Sequence, residues 1–230
     1  MTVLVDPRLS DRCKAALAVL GANVAEIPPC DRLAEPVCGH PDLIGAKLPD
    51  GSLLLTGEYY RASRPFWDRL ALPIILTEEM LGASYPEDVL FDALPMGETL
   101  YGKDGAVSSV LQEKYSRFVA VKQGYARCSV AKLSEKAAVT ADLGLAKALV
   151  NDGVDVLTIR EGHIALPGYD HGFIGGAGGP LTDGVYVFFG NLLSHPDGEA
   201  ILRFCEGHKI SAVSLSEEPL SDHGGLLVFR

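Results

Sequence analysis

Hydrophobic positions along the chain recur in one order: a short apolar run, a stretch with helical spacing, then a second apolar run. The first instance predicts a strand over 2–5, a helix over 9–20 with Ser10 or Asp11 near its start, and a strand over 23–27, with Gly21 as the helix stop. Residues 52–77 repeat the order: an apolar run at 52–55, a helix after Ser63 that carries Phe66, Trp67 and Leu70, and a run at 73–76. A third, weaker copy has a helix over 106–115 leading into 118–121. The fourth spans 137–140, 143–150 and 154–159, and the fifth 185–189, 197–205 and 210–215. Strands this uniformly apolar suit sheets covered on both faces, as parallel α/β sheets are.

A further segment, read as extended, leads into or follows each unit: 38–44, 89–94, 124–130, 169–174 and 220–226. The last runs into Leu227-Val228-Phe229 with no helix after it, whereas the N-terminal unit has no leading segment. The two termini are therefore expected to pair. The fold predicted is α/β, a five-fold propeller of ββαβ units closed by its N- and C-terminal elements, with residues 1–230 as one domain. Alternating strands and helices also suit an open doubly wound sheet. The internal repeat favours the ring, because a repeat is read before topology.

Composition narrows the partners. With 47% hydrophobic residues in 230, the chain has enough apolar surface for one continuous core. No apolar run approaches the ~20 residues of a membrane helix, and the N-terminus reads as a buried strand with no basic start. A cytoplasmic chain without membrane contact is expected. Thirty acidic against twenty basic residues give a formal charge of −10, which opposes nucleic acid and suits a neutral or cationic small molecule. The five cysteines form an odd, scattered set and are expected as free thiols.

The glycine-rich run 172–180 does not have the context of a phosphate loop. Residues 180–184 lead it into another strand, where a phosphate loop would open a helix, so close backbone packing is expected. Cys30, Cys38 and His40 lack a zinc-binding spacing; neither metal nor organic cofactor is expected. His-Pro-Asp occurs twice. At 195–197 it follows Ser194 and opens a helix with proline in the first turn, so capping explains it. At 40–42 it leads an extended segment, where alternation places His40 and Asp42 on one side.

Cys128, between Arg127 and Ser129, holds the same leading position two units later, and an inert buried cysteine is its plain reading. Asp170 or His171, and Asp222 or His223, hold that position in the next two units. Equivalent positions in a ring converge on its axis. Four of the five units would then direct a cysteine, a histidine or a carboxylate into one cavity.

On these residues the chain resembles the guanidino-group-modifying (pentein) enzymes. His40-x-Asp42 is similar to the His-x-Asp segment of arginine deiminase-like enzymes, and Gly124-x-x-Arg127-Cys128-Ser129 to their Gly-x-x-Arg-Cys segment. Asp222-His223-Gly224-Gly225-Leu226 is similar, less closely, to Glu-Gly-Gly-Asp, with His223 where the family has Glu. Gly168-Tyr169, the run 172–176 and the strand after Val185 look like an uncharacterised bacterial family of the same fold, along essentially the whole chain. A cysteine in mid-chain, where those enzymes usually carry it in the last unit, implies a circularly shifted repeat order.

The resemblance implies a small cationic guanidino ligand. Cys128 would be the nucleophile, its thiolate favoured by the bound cation, and His40 the acid and base. Asp42, Asp170 and Asp222 would pair with the guanidinium, with His171 and His223 beside them. The alternative, from a different class, is a non-catalytic ring used for binding or assembly. Cys128 separates the two: an enzyme needs it open to the cavity with a depressed pKa, while a binding module tolerates it buried.

Overall fold

A computed structural model describes residues 1–230. β1 (Thr2–Val5) leads to α1 (Asp11–Val19), where the Ser10 side chain caps the helix by accepting from the Cys13 N–H. Gly21 follows at φ +87°, a conformation glycine adopts without Cβ strain, and β2 (Asn23–Glu26) then pairs in parallel with β1.

Four further units follow. A single helical turn, α2 (Pro41–Ile44), feeds β3 (Gly45–Lys47), β4 (Leu53–Thr56), α3 (Gly57–Ala62), α4 (Arg64–Leu70) and β5 (Ile74–Thr77). The third set is β6 (Leu94–Met96), β7 (Thr99–Lys103), α5 (Ser109–Gln112) and β8 (Arg117–Val121). The fourth is β9 (Val130–Ser134), β10 (Ala137–Thr140), α6 (Leu143–Asn151) and β11 (Asp155–Thr158). The fifth is β12 (Gly178–Thr182), β13 (Val185–Phe188), α7 (Gly198–Gly207) and β14 (Ser211–Ser214).

These strands make five three-stranded sheets, each with one antiparallel and one parallel pairing about its central strand. The last strand, β15 (Leu227–Phe229), joins the first sheet antiparallel to β1, with Thr2 opposite Phe229. The termini pair as the repeat predicts. Central strands β4 and β10 carry Leu53, Leu54, Leu55, Ala137, Ala138 and Val139 at 0% exposure, so both faces of these sheets are covered.

The leading segments are not extended, as the sequence reading has them. Pro41, with its fixed φ, starts a helical turn, Glu87–Val89 is a 3-10 turn, and residues 126–129 and 174–177 are turns. The antiparallel strands begin only after these turns. Backbone hydrogen bonds join the turns in cyclic order: Asp42 N to Gly224 O (3.3 Å), Ala126 N to Asp92 O (3.2 Å), Gly176 N to Cys128 O (3.0 Å) and Gly225 N to Gly176 O (2.9 Å). At the remaining junction the Asp42 and Asp92 carboxylates approach within 4.8 Å. The glycine-rich run serves this packing, since a Cβ on Gly175 would lie 2.5–2.6 Å from the carbonyl oxygens of Arg127 and Cys128. No helix is long and apolar enough to cross a membrane.

Candidate active site

The turns that feed the sheets place their polar side chains at the centre of the ring. His40 stands at the start of α2, and Asp42 lies within that turn at 0% exposure. Cys128 sits in a turn closed by Ser129 N to Tyr125 O (2.9 Å) and Val130 N to Arg127 O (3.2 Å). Asp222 is fixed by two main-chain donors, Phe173 N to Oδ2 (2.8 Å) and Gly224 N to Oδ1 (2.9 Å).

Asp222 is the hub. Cys128 Sγ lies 3.4 Å from its Oδ2 and 3.7 Å from its Oδ1, and His40 Nδ1 lies 3.9 Å from that same Oδ1. The other ring nitrogen of His40 is 3.8 Å from Asp6 Oδ2, and Arg8 holds Asp6 through Nε (3.0 Å) and Nη2 (2.7 Å). Burial alone would raise the Asp6 pKa, but the Arg8 hydrogen bonds outweigh it and leave Asp6 below the usual carboxylate value.

Asp42 is placed differently. Neither of its buried oxygens has a hydrogen-bond partner, and the nearest cation, Arg127 Nη1, stands 3.6 Å away and is also without a partner. Arg127 Nη2 donates instead to Leu226 O (3.0 Å). Asp92 accepts both Arg127 N (2.7 Å) and Cys128 N (2.9 Å) on Oδ1, while its buried Oδ2 is without a partner. Asp42, Asp92 and Cys128 are the one trio of metal-ligating side chains whose donor atoms gather, within 4.8 Å of one another. Cys30 and Cys38 do not form such a set with His40.

So much buried negative charge shifts the acids upward. Burial first, then Asp222, Asp42 and Asp92, push the Cys128 thiol well above its ordinary pKa. Burial and Asp42 raise Asp92, and burial raises Asp222 against the opposing pull of His40. The centre is short of positive charge.

A family model, described as "Family of unknown function (DUF6873)", matches residues 4–227. The chain belongs to DUF6873. No curated protein matches it in sequence. Among solved structures, this DUF6873 chain is similar to SxtG, an amidinotransferase from Microseira wollei in the saxitoxin biosynthetic pathway, at 11% identity and a TM-score of 0.56, covering 97% of this chain and 82% of that one. It is also similar to DDAH from Pseudomonas aeruginosa, solved as a cysteine-to-serine mutant complexed with citrulline, at 11% identity and a TM-score of 0.57, covering 94% and 92%. The fold is the pentein fold of guanidino-group-modifying enzymes, in which such a ring is built from five small sheets.

In this DUF6873 protein His40, Asp42, Cys128 and Asp222 come together, with His223 close enough to feel His40 and Asp6, while Asp170 and His171 do not join them. Asp170 is exposed and has no hydrogen bond or ion pair. The fifth sheet begins only at Gly178, so turn 174–177 takes the axial place and Asp170 and His171 fall too early. His171 meets Gly172 O (3.1 Å) and Glu161 (3.4 Å) at a side pocket of about 50 Å³. His223 bonds Ser221 Oγ (2.9 Å), and burial lowers its pKa to about 4, which keeps it neutral.

Asp92 and Asp6 escaped the sequence reading. A signal for Asp92 existed: it stands two residues ahead of β6, as Cys128 stands two ahead of β9. For Asp6 there was none, since it follows β1 and reaches the centre through His40.

Proposed function

We propose that this protein is a cysteine-dependent enzyme that hydrolyses, or transfers the amidino group of, a small guanidino compound. The observation that carries this reading is the Asp42 carboxylate, wholly buried with both oxygens unpartnered, in a cluster with Cys128. A buried carboxylate that accepts no hydrogen bond, with its one cationic neighbour 3.6 Å off, is costly. A planar cation with several N–H donors satisfies it in fork geometry.

With a guanidinium on Asp42, its positive charge offsets the carboxylates that hold the thiol protonated. The thiol proton passes to Asp222, which lies within sulfur hydrogen-bond reach. The Cys128 thiolate adds to the guanidinium carbon, the bond to the departing nitrogen breaks, and His40 protonates that nitrogen as it leaves as an amine. The product is an S-amidino adduct on Cys128. Water deprotonated by His40 then attacks the adduct carbon, releasing a ureido product and restoring the thiol; an amine attacking instead completes a transfer. The pentein neighbours support this reading, one an amidinotransferase and the other bound to citrulline.

The test is incubation with arginine, agmatine, methylated arginines and guanidino acids, following ureido product, amine release and the mass of the Cys128 peptide. Product with a trapped adduct is expected, and Cys128→Ala abolishes both. Product that survives Cys128→Ala rejects the mechanism.

A second reading, a binding ring without catalysis, is favoured by one observation. Cys128 is 5% exposed and its pKa is raised, where a ready nucleophile would be open and depressed. No turnover on any guanidine, with Cys128 alkylating no faster than a free thiol of pKa about 8.5, decides for binding.

A further inference from the structure

The second turn of the ring supplies a side chain that no motif announces. Two consecutive main-chain donors, Arg127 N–H and the N–H of Cys128 itself, end on one oxygen of Asp92. Hydrogen bonds to a carboxylate are among the stronger ones in a protein. One acceptor shared by adjacent peptide groups sets the orientation of the turn that carries the thiol. The other oxygen is buried and unpartnered, in the trio with Asp42 and Cys128.

The fourth turn, across the ring, supplies no comparable arm. Its axial residue is Gly176, where a Cβ would overlap Asp222 Oδ1 and come within 2.5 Å of Cys128 Sγ. Among the carboxylates gathered with Cys128, the open oxygens thus lie on Asp42 and Asp92.

We infer that Asp92 positions the nucleophile, one oxygen fixing the Cys128 turn while the other joins Asp42 as the second arm of a clamp for a planar cation. The clamp half rests on the guanidino reading above; the positioning half stands on the hydrogen bonds alone. Besides Asp92, the charged and titratable groups that bear on Cys128 are Asp42 from α2, Asp222 from the C-terminal segment, His40 and Arg127 beside those carboxylates, and Tyr186 from β13.

Full-length Asp92→Asn and Asp92→Ala test both halves. Asn keeps an oxygen for the two N–H groups but carries no charge, and Ala removes both. Alkylation of Cys128 by iodoacetamide, located by peptide mass, is followed from neutral to alkaline pH with and without millimolar methylguanidinium, alongside hydrogen exchange of the Arg127 and Cys128 amides. In Asp92→Asn the alkylation profile moves to lower pH by about one unit, and protection by methylguanidinium weakens about tenfold. In Asp92→Ala the two amides exchange at least about tenfold faster, while Asp92→Asn leaves them slow.

Unmoved exchange of the Arg127 and Cys128 amides in Asp92→Ala overturns the positioning role. If Asp92→Ala does not fold, amide exchange in Asp92→Ser, whose shorter side chain cannot reach both N–H groups, decides in its place. Protection equal in wild type and Asp92→Asn overturns the clamp. Protection absent from both removes the guanidino reading and the clamp with it, and leaves amide exchange to judge the positioning role.

Discussion

The chain writes His-Pro-Asp twice, and the two copies have opposite fates. At 40–42 the proline starts a one-turn helix, so that Asp42 falls inside the turn, wholly buried and without a hydrogen-bond partner. At 195–197 the proline precedes the helix, leaving Asp197 as the residue before α7. There Asp197 accepts from Arg160 N (2.7 Å), and the Arg160 guanidinium reaches it at 2.7 Å. His195 Nδ1 accepts the Asp197 N–H (3.0 Å), so the second triplet is closed on itself and on one arginine. Proline in the first turn of a helix, expected at 195–197, is thus found at 40–42 instead, where His40 makes no side-chain capping bond. Position relative to the axis gives the triplet its chemistry, because only there do turns from other units face it.

The harshest way to break the comparison is to open the ring. Deleting residues 226–230 removes β15 from β1 and frees the segment that holds Asp222, and should cost several kcal/mol. Loss of a cooperative thermal transition is expected, and an unchanged Tm would refute closure by the termini.

Exchanging the carboxylates comes next. Asp42→Asn should lower kcat/KM for a guanidino substrate about a hundredfold or more, and Asp197→Asn should leave it within about threefold. Equal losses would mean that the axial position confers nothing on the triplet.

Filling the space beside Asp42's neighbours probes the same difference by volume. Gly176→Ala pushes a methyl group onto Asp222 and Cys128, which should cost about 1–3 kcal/mol and slow Cys128 alkylation. An alanine at exposed Gly207, where a Cβ meets nothing within 4 Å, is the control and should be close to neutral.

The smallest effect sharpens the outer triplet. Arg160 holds the Asp197 pKa down to about 2. A depressed carboxylate adds stability that is present above its unfolded pKa near 3.8 and lost as pH falls through about 2. Because Arg160 is largely exposed, Asp197→Asn should cost only about 0.5–1 kcal/mol at neutral pH. The difference from wild type, read from denaturant midpoints, should vanish near pH 2.

Strand order and closure were legible because each central strand is an apolar run and the units recur. The pairing of Leu227-Val228-Phe229 with β1 followed from counting segments. The leading segments were misread as strands because apolar residues such as Val89-Leu90-Phe91 pack just as well from a turn, and alternation over so few residues does not separate the two. That error moved Asp170 and His171 to the axis. Reading back from the start of β12 leads instead to a glycine, which offers no side chain to notice. The hub role of Asp222 was only half legible: its bond from Gly224 N–H is local, two residues on, while the one from Phe173 N–H, far off in sequence, exists only once the ring has formed.

The pairing of β1 with β15 also governs when the molecule can be completed. β1 is synthesised first and its antiparallel neighbour last, so this sheet has the greatest sequence separation of any in the fold. Until residues 227–229 have emerged from the ribosome, that edge of β1 has no partner, although β2 can already cover the other. Unpaired edges recruit other chains, and contacts of long sequence separation form slowly. For a nascent chain of this design, the vulnerable interval runs from the emergence of β1 to the emergence of β15.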